Sequence, residues 1–189
     1  MEGQDASKLW KSFSKCHFMA AKVNKQYLMN HSNFPPRLSL VKNNSNSTLI
    51  DAKFVGVKRM SDSLYGNKLS MKAMLRYKYQ ISIEGNDVAS NLKWLLFSNS
   101  LVFMPKPTFN SWAMEELLKP FVHYIPIQAD MSDVEVMVQW AEDHPRKAKE
   151  IAERSTLFMY DLLFHPDAYS DEEEIFRGIM ERYQDNFGF

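Results

Sequence analysis

Glu84-Gly85-Asn86-Asp87-Val88-Ala89-Ser90 is the stretch of this sequence whose residue types best suit the handling of an anion. It lies where an alternating apolar run gives way to a helical repeat. A glycine at such a junction accepts a positive φ or lets a phosphate approach the backbone, and the following helix would aim its N-terminal dipole at the anion. The same residues also make an ordinary turn, with Gly85 bending the chain and Asp87 capping the helix. Residue chemistry alone favours the ordinary turn. A second group, Pro105-Lys106-Pro107 through Glu115 and Glu116, follows the next apolar run. Carboxylates there suit ribose or sugar hydroxyls, or form a solvated patch at the start of a helix. His123 lies within a strand pattern, where a lone histidine is more often a hydrogen-bonded core residue than a base, and it is given no catalytic role.

These groups matter only if the fold brings them together. Tyr77 to Ile83 alternates as a strand, Val88, Ala89, Leu92, Leu95 and Leu96 recur at helical spacing, and Ser100 to Met104 is a continuous apolar run stopped by Pro105. That is a βαβ unit whose second strand, a continuous apolar run, is of the kind buried on both faces. Leu49 to Val57 predicts an earlier strand, Ser111 to Leu118 a helix, and Val122 to Ile127 a further strand ended or edged by Pro126. Two closing helices are predicted to open at Ser132 and Ser170, each with Glu three residues on as in a capping box; Pro145 suits a first helical turn, and Glu150 with Arg154 an i,i+4 pair. Upstream, Leu9, Trp10, Phe13, Phe18, Met19 and Val23 suggest an amphipathic docking helix over residues 5–29, and Asn43 to Thr48 a polar loop. The expected fold is α/β, a Rossmann-like parallel sheet with flanking helices. Residues 1–48 form a helical segment and loop, and residues 49–189 the main domain. In such sheets ligands gather at the carboxyl ends of the strands, where both candidate groups fall.

Composition narrows the chemistry. The 189 residues carry 23 Lys and Arg against 23 Asp and Glu, so no field favours nucleic acid. The single Cys16 and the five scattered His give no structural zinc ligand set. No stretch has the length and apolarity of a membrane span, and the lysine-dotted N-terminus does not resemble a signal peptide, so the chain as encoded is expected to be cytoplasmic. Asn30, Asn43 and Asn46 open acceptor triplets that would matter only in a secretory compartment. Serine-hydrolase elbows, phosphate-loop lysine motifs and Gly-x-Gly-x-x-Gly runs are missing.

Several of these segments together resemble a known family: glycosyltransferase family 90, the capsule-associated, lipopolysaccharide-modifying and protein O-glucosyltransferase group. The likeness runs from about Leu49 to about Phe164. It is carried by Tyr77-Lys78-Tyr79, by Glu84 through Trp94, by Ser98-Asn99-Ser100-Leu101-Val102 and by Leu118 through Pro126. Ser132-Asp133-Val134 and Ala148 through Arg154 also fit. The resemblance implies a GT-B architecture of two Rossmann-like halves, with the nucleotide sugar held mainly by the C-terminal half. It implies inverting, metal-independent transfer to a hydroxyl of a glycan, lipopolysaccharide or protein, from a UDP-linked donor and without a further cofactor. Gly85, Asn86, Asp87, Val88, Ala89, Ser90, Asn91 and Lys93 then look like the donor diphosphate loop, Glu115 like a contact to the ribose or sugar, and Arg37 like a basic residue near the diphosphate.

Two departures qualify that picture. Protein-glucosylating members tend to carry Arg where this chain has Asn91, which is closer to the lipopolysaccharide branch, with Lys93 supplying the charge. Members also have a further N-terminal half bearing the acceptor site and the proposed base, in place of which this chain shows a short stub. The catalytic base is therefore unassigned. Either a partner chain supplies the missing half, or the protein is a non-catalytic nucleotide-sugar-binding or regulatory one.

Overall fold

A computed structural model describes residues 35–55, 62–85 and 87–188. The predicted amphipathic helix over residues 5–29 lies outside them, as do Gly56, Val57 and Asn86. The core is a three-stranded, all-parallel sheet in the order β1 (Tyr79–Ile81), β2 (Leu101–Met104), β3 (Ile125–Pro126). Tyr79 stands opposite Leu101, Ile81 opposite Phe103, and Phe103 opposite Ile125. All four residues of β2 are buried, as a central parallel strand covered on both faces requires. Pro126 ends the outer strand, where its missing N–H leaves no ladder bond unmade.

Strand alternation sorts the side chains into two layers. On one face Tyr79, Ile81, Leu101, Phe103 and Ile125 join Leu40 and Val41 of α1 (Pro35–Asn43). The same cluster takes Val134, Val138 and Ala141 of α4 (Val134–Asp143) and Ala148, Ile151 and Ala152 of α5 (Pro145–Phe164). On the other face Val102 and Met104 pack with Leu92, Leu95 and Leu96 of α3 (Leu92–Leu96) and with Met159 of α5. Gln80 is fully buried on this second face and donates from Nε2 to the Met74 carbonyl (2.8 Å), at the end of the short helix α2 (Met71–Met74). Tyr79 meets Phe103 edge-on at 5.4 Å, tightening the first layer. This is the expected α/β architecture: an open parallel sheet with helices on both faces, a Rossmann-like half.

Several local expectations are corrected. Ile50, Ala52 and Phe54 do bury alternately, but within the described residues this segment forms a single bridge, Phe54 to Tyr65, and no ladder. Residues 35–43, with their two prolines, form a helix, because a proline in the first turn sacrifices no intrahelical donor. The helix expected from Val88 starts at Leu92 and lasts five residues. Neither capping box forms. Asp133 is the N-cap of α4 and its Oδ1 accepts from the Gln128 N–H (2.8 Å), while Glu135 accepts from the Ser47 hydroxyl. Helix α6 (Ala168–Phe187) opens two residues before Ser170, whose hydroxyl donates to the Asp167 carbonyl. Pro145 does open α5, and Arg154 lies 3.8 Å from Glu150 as the spacing implied.

Candidate functional site

Three segments converge beyond the carboxyl ends of β1 and β2: the turn after β1, the loop after β2, and the first turn of α1. The β1 turn is closed by Gly85, whose N–H donates to the Asp87 carbonyl (3.1 Å), and Asp87 Oδ1 accepts from the Val88 N–H at 2.7 Å. Asp87 therefore shapes the turn and does not cap α3. At the strand end the buried Ser82 donates its hydroxyl to Asn91 Oδ1 (3.1 Å), tying the far side of the turn back to the sheet. Ala89 is buried and Ser90 exposed. With only five residues in α3, the macrodipole expected of it is small, and the Gly85 and Val88 N–H groups are taken up within the turn by Asp87.

Arg37, from the first turn of α1, reaches this turn across the sheet end. Its Nη2 donates to the Ile83 carbonyl at 2.9 Å and the Glu84 carbonyl at 3.5 Å. The clamp brings a permanent positive charge to the point where the backbone leaves β1.

Two carboxylates brace this turn against the loop after β2. Glu84 accepts from the Thr108 N–H (3.0 Å), the Thr108 hydroxyl and the Phe109 N–H (3.1 Å). Glu115 is 1 % exposed and accepts from Lys93 Nζ (2.7 Å), the Ser111 N–H (2.6 Å) and the Ser111 hydroxyl (2.8 Å). Burial by itself would raise the Glu115 carboxyl, but the Lys93 ammonium and the Ser111 donors outweigh it and hold the group below its ordinary range. Lys93 comes from α3, and Glu115 opens the 3₁₀ turn Glu115–Leu117, which replaces the predicted helix from Ser111. That turn begins after Met114, held left-handed at φ 49, a conformation unusual for a side chain of this size.

The structure thus brings Arg37, Gly85, Asp87, Val88, Asn91, Lys93 and Glu115 to one end of the sheet. Asn86 lies outside the described residues. The bracing roles of Glu84, Thr108 and Ser111 have no signature in the sequence pattern. Glu84 stood directly before Gly85 in the sequence, but nothing in a linear pattern indicates that its side chain captures N–H groups beyond the next strand. His123 lies in the turn before β3, not in the strand expected over Val122 to Ile127: its Nδ1 accepts from the Lys119 N–H (3.0 Å) and its ring lies 5.2 Å from Phe158, so it is hydrogen-bonded as expected but half-buried, not a core residue. Burial, then Lys119 and Arg154, push its pKa down. A cavity of about 490 Å³ lined by Phe121, Trp140, Lys147, Glu150, Ile151 and Arg154 lies apart from these groups, beside the segment that precedes β3.

An irregular turn flanked by two cations, Arg37 and Lys93, and a braced neighbouring loop suit an anionic ligand that also presents hydroxyls. Comparison with known proteins gives that chemistry a context. Residues 5–175 match the family model described as glycosyl transferase family 90. O-glucosyltransferase LpsA of Dichelobacter nodosus is 42 % identical over 91 residues, covering 48 % of this chain and 29 % of that protein. Protein O-glucosyltransferase 2 of Danio rerio is 32 % identical over 166 residues, 85 % of this chain and 33 % of its own length. Protein O-glucosyltransferase 1 of Rattus norvegicus is 32 % identical over 125 residues, 62 % of this chain and 31 % of that protein. The chain spans about a third of the length of these curated relatives. The family match begins at residue 5, well ahead of Leu49, so the segment set aside as a stub carries family sequence too.

Proposed function

The chain belongs to glycosyl transferase family 90, and from that premise we propose that it holds the nucleotide-sugar donor of a glycosyl-transfer reaction at the carboxyl ends of β1 and β2. The observation that carries this reading is the double brace. Glu84 and Glu115 fix the two loops that would meet the donor, before any ligand arrives. A preformed site spends little binding energy on ordering itself. Arg37 and Lys93 would face the diphosphate of a UDP-linked donor, and glucose, the sugar in the names of the relatives, is the first to test.

In an inverting transfer the acceptor hydroxyl gives its proton to a general base as its oxygen bonds to the anomeric carbon. The bond from that carbon to the β-phosphate oxygen breaks, and the diphosphate leaves with the electron pair. The part assigned to this chain is the last one: donors aimed at the oxygens where negative charge develops, with no metal invoked. A lipopolysaccharide, glycan or protein hydroxyl is the acceptor class.

A second reading is a donor-binding protein without turnover, and one feature favours it. Glu84 and Glu115 already accept three hydrogen bonds each, which leaves neither suited to take a proton from an acceptor. Calorimetric titration with UDP and GDP, beside Gly85→Trp, tests the shared part of both readings. Saturable UDP binding lost in the variant supports the site, and heat-silent titrations would refute it. Formation of glucosylated acceptor, with matching release of UDP from UDP-glucose, separates transfer from binding alone.

A further inference from the structure

The loop after β2 carries two large aromatic side chains in solvent, Phe109 at 41 % exposure and Trp112 at 61 %. Isolated exposed aromatics are common, but these lie three positions apart on a backbone held ahead of Phe109 and on both sides of Trp112. Glu84 holds the N–H groups of Thr108 and Phe109. Trp112 is bracketed by Ser111, whose N–H and hydroxyl are taken by Glu115, and by Ala113, which is 1 % exposed and donates its N–H to Ser111 Oγ (3.3 Å). Just beyond, Met114 is in the left-handed region at φ 49. A bulky residue held there points to a backbone constrained for a purpose other than its own comfort. Two carboxylates and a strained residue thus hold a loop whose outward rings contact no other ring among the described residues.

We propose that Phe109 and Trp112 form an aromatic ledge that receives the apolar C–H face of a pyranose ring beside the diphosphate turn. The negative π-face of an indole or phenyl ring attracts the polarised C–H bonds of a sugar, while sugar hydroxyls stay free for solvent or polar neighbours. The ledge deepens the donor-site reading and rests on it. It adjoins the turn through Glu84, whose backbone continues into Gly85 while its side chain grips the ledge. The ring it receives is the donor's hexose or a sugar of the acceptor, two sources of the same chemistry.

Both side chains are exposed, so truncation leaves the core intact. Trp112→Ala and Phe109→Ala are compared with the unaltered chain by titrating UDP, UDP-glucose, and methyl glucoside into UDP-saturated protein, with thermal midpoints as the folding control. A donor-hexose ledge predicts that the preference for UDP-glucose over UDP falls by about three- to tenfold in each variant. An acceptor ledge predicts that methyl glucoside binding falls by that factor instead. If neither sugar-dependent quantity moves while UDP still binds, the ledge is refuted and the donor site stands. If UDP fails to bind the unaltered chain, the donor site falls and the ledge with it.

Discussion

Lys93 Nζ lies 2.7 Å from Glu115 Oε1, which joins the helix that follows β1 to the 3₁₀ turn that follows β2. The two residues have unequal freedom. Glu115 is 1 % exposed and Lys93 17 %, so the lysine can swing to water if its partner is removed, whereas the carboxylate has nowhere to go. Lys93→Met should therefore destabilise the chain by about 3 kcal/mol, the cost of an orphaned buried charge. Glu115→Gln, which keeps the shape and part of the Ser111 bonding, should destabilise it by nearer 1 kcal/mol. Urea midpoints of the two variants, with slopes unchanged, measure the asymmetry.

The same carboxylate contributes to the acid limb of the stability curve, together with Glu142, which Lys78 holds low. The folded pKa of Glu115 lies below the ordinary value of 4.5, so the unfolded chain binds the proton first. The stabilisation is complete above that value and is lost as the pH falls through the lowered folded pKa. Glu115→Gln should flatten this limb, which a pH series of urea midpoints below pH 4.5 would reveal.

His123 has its own pH window. Its Nδ1 accepts from the Lys119 N–H, so the neutral ring carries its proton on Nε2, and a second proton would break that bond. Its pKa is lowered from 6.5, so stability should decline as the pH falls below 6.5 and level off once the folded state is protonated too. His123→Gln keeps an acceptor and cannot titrate, and its stability should be flat across that window in a thermal-shift pH series.

Arg37 clamps the carbonyls of Ile83 and Glu84 through the single nitrogen Nη2, at a reach that the shorter lysine side chain does not match. Both Arg37→Ala and Arg37→Lys should loosen the turn after β1. Amide exchange over residues 87–91 should quicken by about tenfold, and UDP affinity should fall by a similar factor.

The legible and illegible parts of this chain divide along physical lines. The core of β2 announces itself because a central strand covered on both faces is apolar, and Leu101 to Met104 offers little else, whereas β1 shows itself by alternation and buries the polar Gln80 by bonding it to the Met74 carbonyl. Pro145 marks the start of α5 because a first-turn proline gives up no intrahelical bond. The capping boxes fail because Ser-x-x-Glu is only a local option, and Asp133 and Glu135 find partners far along the chain in Gln128 and Ser47. The helix expected from Ser111 gives way because Ser111 spends its N–H and hydroxyl on the Glu115 carboxylate while Met114 turns left-handed. The candidate turn at Gly85 was visible, but its braces were not. Glu84 reaches Thr108 and Lys93 reaches Glu115 only after β1 and β2 pair in register.

Hydrogen–deuterium exchange of the unaltered chain with and without saturating UDP reports the donor site most directly. Protection gained in residues 84–93 and 105–115, and little elsewhere, is the expected pattern. Protection gained instead around Phe121, Trp140 and Arg154, beside the cavity near the start of β3, would place the nucleotide away from the braced loops and contradict the donor site.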